Sequence, residues 1–85
     1  MVYRIVITHK AMKDIDALEN IVRERLGKKL LQVSKLDDIK PVVRELTNSR
    51  IGEYRLRIGD YRVIFDLVGR DIVILRVQHR KDVYR

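Results

Sequence analysis

Three runs of alternating apolar and polar residues in the second half of the chain are the feature that most limits how it folds. They are separated by Gly59-Asp60 and Gly69-Arg70, pairs of the Gly-X kind that suit tight two-residue hairpins. The spacing predicts strands over Glu53–Ile58, Tyr61–Val68 and Ile72–His79. Because turns this short join antiparallel neighbours, we expect the second half to form an antiparallel β-meander.

The first half of the chain predicts one strand followed by two helices. Residues Val2 to Thr8 alternate in the manner of a strand with at least one buried face, and Thr8 is suited to cap a helix that begins after it. From His9 to about Leu36, apolar residues recur at spacings of three and four, the period of an amphipathic helix. This region is too long for one helix in a small domain, and the pattern leaves open a break near residues 17–20 or at Gly27. We therefore expect a helical hairpin.

Length and composition fit a single small domain spanning residues 1–85. The expected class is α+β: an N-terminal strand, a helical hairpin and a meander whose sheet has its helices on one face. The absence of cysteine excludes disulfides, thiolate catalysis and cysteine-ligated zinc. No apolar stretch approaches the ~20 residues that span a bilayer, and the N-terminus has no signal-peptide cleavage site. We expect a cytoplasmic protein without membrane contact.

The charge of the chain points to a polyanionic partner. Nineteen Lys and Arg against twelve Asp and Glu give a formal net charge of +7. From Arg44 onward, nine of the ten basic residues are arginine. Arginine presents a planar fork that grips phosphate with two hydrogen bonds and stacks on bases, whereas lysine is a hydrated point charge. The second half is therefore predicted to contact phosphate.

Strand alternation predicts where these arginines lie. If Leu56 and Ile58 face the helices, Arg55 and Arg57 must face the opposite side of the sheet, and Arg62 joins them from the next strand. Charges on the solvent face of a sheet are common and protect against edge aggregation, so solubility alone also explains them. Like charges on neighbouring strands are mildly destabilising, which favours a bound anion.

The segments "GEYRLRIGDYRVIFDL" and "VGRDIVILRVQHRKDVY" resemble the RelE/ParE superfamily of toxins from prokaryotic toxin-antitoxin pairs, and the resemblance extends over nearly the whole chain. It implies a strand, two helices and a meander that completes a curved sheet with a basic open face. For RelE-type members it implies an endoribonuclease that enters the ribosomal A site and cuts messenger RNA without a metal ion or other cofactor. The 2′-hydroxyl attacks the neighbouring phosphate and leaves a 2′,3′-cyclic phosphate.

The resemblance also implies the site residues. The family's paired basic residues correspond to Arg55 and Arg57, and its later arginines correspond to Arg62 and Arg80. Its near-terminal tyrosine corresponds to Tyr84. Arg62 and Arg80 are suited to neutralise the scissile phosphate, and Tyr84 is suited to stack on a base. The basic residue after Arg80, Lys81, is a further candidate for binding RNA.

General acid and base catalysis is the point at which this chain departs from the family. RelE toxins often have lysines where this chain has Arg55 and Arg57, and arginine does not release its proton at neutral pH. His79 is the candidate substitute. Counted in steps of two from Val73, Leu75 and Val77, however, His79 points toward the helices, which favours a strand-end histidine that makes one hydrogen bond.

Two other functions stay open. ParE-type members of the superfamily inhibit DNA gyrase instead of cutting RNA, and the motifs do not separate the two groups. A noncatalytic nucleic-acid-binding module is expected if Arg55 and Arg57 leave the site inert. The implied partners of a RelE-type toxin are the ribosome, messenger RNA and an acidic RelB-like antitoxin, in a complex that is heterotetrameric or larger.

Overall fold

A computed structural model describes residues 2–47 and 49–83, so Tyr84 of the expected site lies outside the described residues. The helices and strands run in the order β1 (Arg4–Ile7), α1 (His9–Asp16), α2 (Asn20–Ser34), a 3₁₀ turn (Lys40–Val42), β2 (Arg44–Glu45), β3 (Tyr54–Ile58), β4 (Tyr61–Val68), β5 (Asp71–His79) and α3 (Arg80–Val83). None of the helices in this part of the chain is long and apolar enough to cross a membrane.

The strands form one mixed sheet in the order β1-β5-β4-β3-β2. β1 runs parallel to β5, and every other neighbouring pair is antiparallel. The two helices carry the chain from β1 at one edge of the sheet to β2 at the other. The α+β class and the meander of β3, β4 and β5 are confirmed. Strand β2 was missed, because a two-residue strand is too short to show alternation.

The helical hairpin is confirmed, and its break falls at the first of the two expected places. The side chain of Thr8 caps α1 by accepting a hydrogen bond from the N–H of Ala11. Helix α1 ends at Asp16, and α2 begins four residues later at Asn20. Gly27 lies inside α2 and does not interrupt it, since exposed glycine lowers helix stability without preventing the helix.

The core lies between the helices and one face of the sheet. Leu56 and Ile58 of β3 are buried in it, and so are Val63 and Phe65 of β4. The helices contribute a matching set of buried side chains, which are Ala11, Leu26, Leu30 and Val33. The predicted direction of β3 and β4 is therefore confirmed, and the opposite face of the sheet is the open face.

Strand β5 contains a bulge. Ile64 of β4 pairs with Arg76, but the next residue of β4, Phe65, pairs with Ile74. Leu75 is therefore left without a partner in β4. An extra residue of this kind bends the strand and locally changes the direction of its side chains.

The bulge reverses the alternation along β5. Ile72 and Ile74 are buried in the core before it, and Val77 is buried in the core after it. Of the three residues expected to face the helices, Val73 and Leu75 are absent from the core cluster and Val77 belongs to it, so the alternation was wrong before the bulge and correct after it. An unbroken alternation is a poor guide wherever a bulge adds a residue, because two neighbouring residues then share one face.

The loop before β3, described at residues 46–47 and 49–53, folds over part of the open face. The N–H of Glu53 donates to the carboxylate of Asp66 at 2.8 Å, which ties the loop to β4. At Gly52 a Cβ atom would lie 2.8 Å from Cδ1 of Leu75 and 2.9 Å from Cγ2 of Ile64. Glycine therefore lets the loop pack against the sheet, and Ile64 is buried although it faces away from the helices.

The two glycines make a matched pair for testing this packing. Gly52→Ala should lower the free energy of unfolding by about 1–3 kcal/mol, because the added methyl group overlaps Leu75 and Ile64. Gly27→Ala meets no atom within 4 Å and should raise it by about 0.5–1 kcal/mol, since alanine favours the helix. Urea unfolding followed by circular dichroism measures both, and a Gly52→Ala protein as stable as the wild type would mean that the loop does not pack there.

Candidate nucleic-acid interface

Two arginines stand opposite each other on the open face. Arg57 of β3 is the direct partner of Arg62 of β4, and Arg62 is the partner of Gln78 of β5. Neighbouring strands lie about 4.7–4.9 Å apart, so the two guanidinium groups start from adjacent backbone positions. Arg57 is exposed and Arg62 is half-buried. This juxtaposition concentrates positive charge at one place, as the alternation of the sequence predicts.

A second row of the sheet, two residues farther from the β3–β4 turn, is also rich in arginine. Arg55 is paired with Arg44 on one side and with Ile64 on the other, and Ile64 is paired with Arg76. Sequence patterns alone did not identify Arg44 and Arg76 as members of this face. Arg44 was hidden in a strand too short to recognise, and the bulge at Leu75 concealed the direction of Arg76. The open face therefore holds five arginines in its two rows.

Arg80 and Lys81 begin helix α3 at the same end of the sheet as Arg57 and Arg62. The backbone N–H of Arg80 donates to the carbonyl oxygen of Asp60, in the turn between β3 and β4, at 2.8 Å. A guanidinium nitrogen of Arg80 lies 3.9 Å from the Asp60 carboxylate, at the limit of an ion pair. The side chain of Arg80 is 59% exposed, so this weak contact leaves it accessible to an anion.

His79 lies on the other side of the sheet. Its ring packs edge-on against Tyr61, with 4.9 Å between the ring centroids, and Tyr61 packs against the core. Its Nδ1 atom accepts a hydrogen bond from the N–H of Lys81 at 3.0 Å. His79 is thus a strand-end residue that ties the start of α3 to the sheet. It does not lie on the open face with the arginines.

A basic groove continues from the open face toward α2. Arg57 lines a cavity of about 370 Å³ together with Arg25, Lys28 and Lys29 of α2. The positive surface therefore extends around the β3 side of the sheet. Its cations there could contact a polyanion that is longer than one phosphate group. Within the described ranges, no three His, Asp or Glu side chains come together in a way that could hold a metal ion.

One carboxylate organises the edge of the sheet beside the arginines. Asp14 of α1 accepts two hydrogen bonds from the Arg76 guanidinium, at 2.8 and 3.2 Å, and one from the N–H of Val77 at 2.9 Å. Burial would raise the pKa of Asp14. The bonds from Arg76 and Val77 and the nearby charges of Arg76 and Lys10 outweigh burial, so the pKa lies below its ordinary value.

Comparisons with known proteins agree with this architecture. The family described as "ParE toxin of type II toxin-antitoxin system, parDE" matches residues 5–84. The chain is a toxin of the RelE/ParE superfamily. The toxin is 28% identical over 76 residues to Toxin RelE3 of Methanocaldococcus jannaschii, which covers 86% of this chain and 85% of that protein.

Solved structures of the family share the fold of this toxin. The toxin-antitoxin complex RelBE2 of Mycobacterium tuberculosis contains a chain with a TM-score of 0.81 and 24% identity, covering 94% of this chain and 100% of that one. The RelE-RelB complex of Pyrococcus horikoshii gives a TM-score of 0.72 and 27% identity over 94% of this chain and 97% of that one. The resemblance noted in the sequence is therefore confirmed at the level of family and fold.

The Asp14 contacts predict how the stability of the toxin depends on pH. A lowered pKa in the folded state means that the stabilisation is complete above the unfolded pKa, about 3.9, and is lost as pH falls through the folded value. Asp14→Asn should lower the free energy of unfolding at pH 7 by about 1–3 kcal/mol, because Arg76 loses its charged partner. The difference from the wild type should shrink as pH falls below about 4.

Asp16→Asn is the matched control, since Asp16 ends the same helix and is exposed. Urea unfolding of the wild type and both variants at pH 7 and at pH 3 makes the comparison. Equal stabilities of the two variants at pH 7 would show that Asp14 does not organise this edge.

Proposed function

We propose that this toxin is a ribosome-dependent endoribonuclease that cuts messenger RNA in the ribosomal A site and thereby stops translation in the cytoplasm. The observation that carries the proposal is the direct pairing of Arg57 with Arg62, with Arg80 beginning α3 at the same end of the sheet. A like-charge pair of this kind costs folding stability unless an anion lies between its members. The match to Toxin RelE3 supports a RelE-type toxin, for which the family resemblance implies RNA as that anion.

The proposed reaction is phosphoryl transfer within the RNA. The 2′-oxygen forms a bond to phosphorus while the bond from phosphorus to the 5′-oxygen breaks. The 2′-hydroxyl gives up its proton, the leaving 5′-oxygen takes one up, and a 2′,3′-cyclic phosphate remains. Negative charge grows on the nonbridging oxygens in the transition state, where donors that are already in position are most effective.

Each arginine has a part in this proposal. Arg62 and Arg80 donate hydrogen bonds to the scissile phosphate, and Arg55 and Arg57 hold neighbouring phosphates of the strand. Lys81 adds charge beside Arg80. Tyr84, which lies outside the described residues, is assigned from the family resemblance and stacks on a base to hold the nucleotide in line for attack.

We assign His79 a structural part instead of proton transfer. Its ring contacts Tyr61 on the helix side of the sheet, and its Nδ1 atom is already bonded to the N–H of Lys81. Since a guanidinium group is a poor general acid or base, the protons exchanged in the reaction then pass to and from solvent or groups of the ribosome. If the ribosome supplies the groups that exchange protons and the toxin supplies the cations, the proposed activity depends on the ribosome.

An acidic RelB-like antitoxin is the proposed partner of the toxin. Solved structures with the same fold include complexes of RelE with RelB. A chain of net charge +7 with its arginines on one face of a sheet attracts nucleic acid strongly, and an acidic partner neutralises that face. We propose that the toxin-antitoxin complex is heterotetrameric or larger.

Inhibition of DNA gyrase is the second candidate function. It is favoured by one observation, the match of residues 5–84 to the ParE toxin family. A noncatalytic RNA-binding module is the remaining alternative, and it applies if arginines at positions 55 and 57 leave the site without activity.

Substitution of the phosphate-binding arginines tests the proposed nuclease. Arg62→Ala and Arg80→Ala should each raise the toxin concentration that halts reporter synthesis in a cell-free extract by about 100-fold or more, since each removes a donor to the transition state. Lys35→Ala, which removes one exposed charge at the end of α2, should leave that concentration unchanged.

Thermal unfolding checks that every variant in this set is folded. A folded protein carrying both Arg62→Ala and Arg80→Ala that still blocks translation at the wild-type concentration would refute the proposed site.

A further inference from the structure

A second cleft lies on the open face, between the loop before β3 and the start of α1. It has a volume of about 390 Å³, within the range of small-ligand sites. Its lining residues come from three separate segments of the chain and are Thr8, Lys10, Arg50, Ile51, Leu75 and Arg76. None of them belongs to the proposed catalytic set.

The bulge and the loop together build this cleft. The bulge turns Leu75 away from the core and onto the open face. There Leu75 lies beside Gly52 of the loop. The oxygen of Ser49 accepts hydrogen bonds from the N–H groups of Ile51 and Gly52, which gives the loop a defined turn. Ile51 is 41% exposed, although it is a large apolar residue beside the sheet. The cleft is thus a built feature of the fold with an uncovered apolar wall.

The cleft combines apolar walls with positive charge. Ile51 and Leu75 provide apolar surface, and Lys10 and Arg50 provide cations. Arg76 is held by its two bonds to Asp14, so its charge is largely balanced and its guanidinium is fixed. Three cations and one carboxylate leave the site positive. A flat apolar group that carries a negative charge matches this chemistry, and a nucleotide is such a group.

The position of the cleft connects it to the proposed RNA path. Arg76 is paired with Ile64, and Ile64 is paired with Arg55, in the row next to Arg57 and Arg62. Two residues of strand separate the rows, a distance of about 6.8 Å. An RNA strand held by Arg57 and Arg62 therefore passes close to the cleft.

We propose that this cleft binds one nucleotide of the RNA beside the cleavage site, with the base against Ile51 and Leu75 and the phosphate on Lys10 and Arg50. The proposal rests on the proposed RNA-cutting function and adds a subsite to it. A docked helix needs a long apolar stripe with anchors at spacings of three and four, and two apolar side chains do not supply one. The features therefore favour a nucleotide over a helical peptide.

Binding of a short RNA to the full-length toxin tests the subsite. The probe is a single-stranded 2′-O-methyl RNA hexamer, which cannot be cut by 2′-hydroxyl attack. Fluorescence anisotropy at several salt concentrations measures its affinity, and ¹⁵N NMR spectra of the toxin show which amides respond. The amides of Lys10, Arg50, Ile51 and Leu75 should shift and saturate together with those of Arg57 and Arg62.

Two variants with matched controls separate the role of the apolar residue Ile51 from that of the cation Arg50. Ile51→Ser should weaken binding about tenfold without changing the salt dependence, since it removes apolar contact alone. Arg50→Gln should reduce the slope of log affinity against log salt by about 0.7, the contribution of one phosphate contact in a single strand. Ile21→Ser makes the same change as Ile51→Ser at an exposed position of α2, and Lys35→Gln removes one positive charge at the end of that helix; both variants should bind as the wild type.

The outcomes of this experiment are distinguishable. Shifts at Arg57 and Arg62 without shifts in the cleft would overturn the subsite and leave the proposed function standing. No response anywhere on the open face would count against RNA binding itself. A cleft that responds to an acidic hexapeptide but not to the RNA hexamer would overturn the nucleotide assignment in favour of the antitoxin.

Discussion

The bulge at Leu75 is the constraint on which the rest of the site depends. In an unbroken strand Arg76 would share a face with Ile72 and Ile74, and its charge would point into the core. The extra residue turns Arg76 to the open face and gives its place in the core to Val77. The bulge lies where β1 ends, so the edge of β5 beyond it has lost its partner strand. Asp14 of α1 supplies the missing acceptor for the N–H of Val77 and binds Arg76 as well.

Local patterns predicted most of the fold, and they failed where a long-range contact decides the outcome. The meander was predicted from alternation and from the Gly-X turns, and β4 has the predicted bounds, Tyr61–Val68. The two-residue strand β2 exists only because β3 lies beside it, so no sequence pattern reveals it. The position of Arg55, Arg57 and Arg62 on the open face of the sheet was predicted correctly from alternation. The ion pair of Asp14 with Arg76 joins residues 62 positions apart, and its formation depends on a bulge that the sequence does not signal.

The arginine face is a compromise between stability and recognition. Adjacent guanidinium groups repel one another across the strands, at a cost of roughly a few tenths of a kcal/mol for each pair. A domain of this size has little folding stability to lose. Lysine, threonine or glutamate would keep such a face soluble at a lower energetic cost. The proposed binding of phosphate would explain arginine, because its planar fork gives two directed hydrogen bonds where lysine gives a diffuse charge. On the same reasoning, we expect binding of an acidic antitoxin to stabilise the toxin.

The most direct test of the account compares the two candidate targets side by side. Purified ribosomes paused on a defined messenger RNA are incubated with the toxin, and the RNA ends are mapped by primer extension and analysed for cyclic phosphate. Supercoiling by DNA gyrase is measured at the same toxin concentrations. The proposed nuclease should give cuts within the A-site codon, 2′,3′-cyclic phosphate ends, no cutting without ribosomes and unaffected gyrase. Intact messenger RNA on the ribosome together with blocked supercoiling would contradict it and identify the toxin as a gyrase inhibitor.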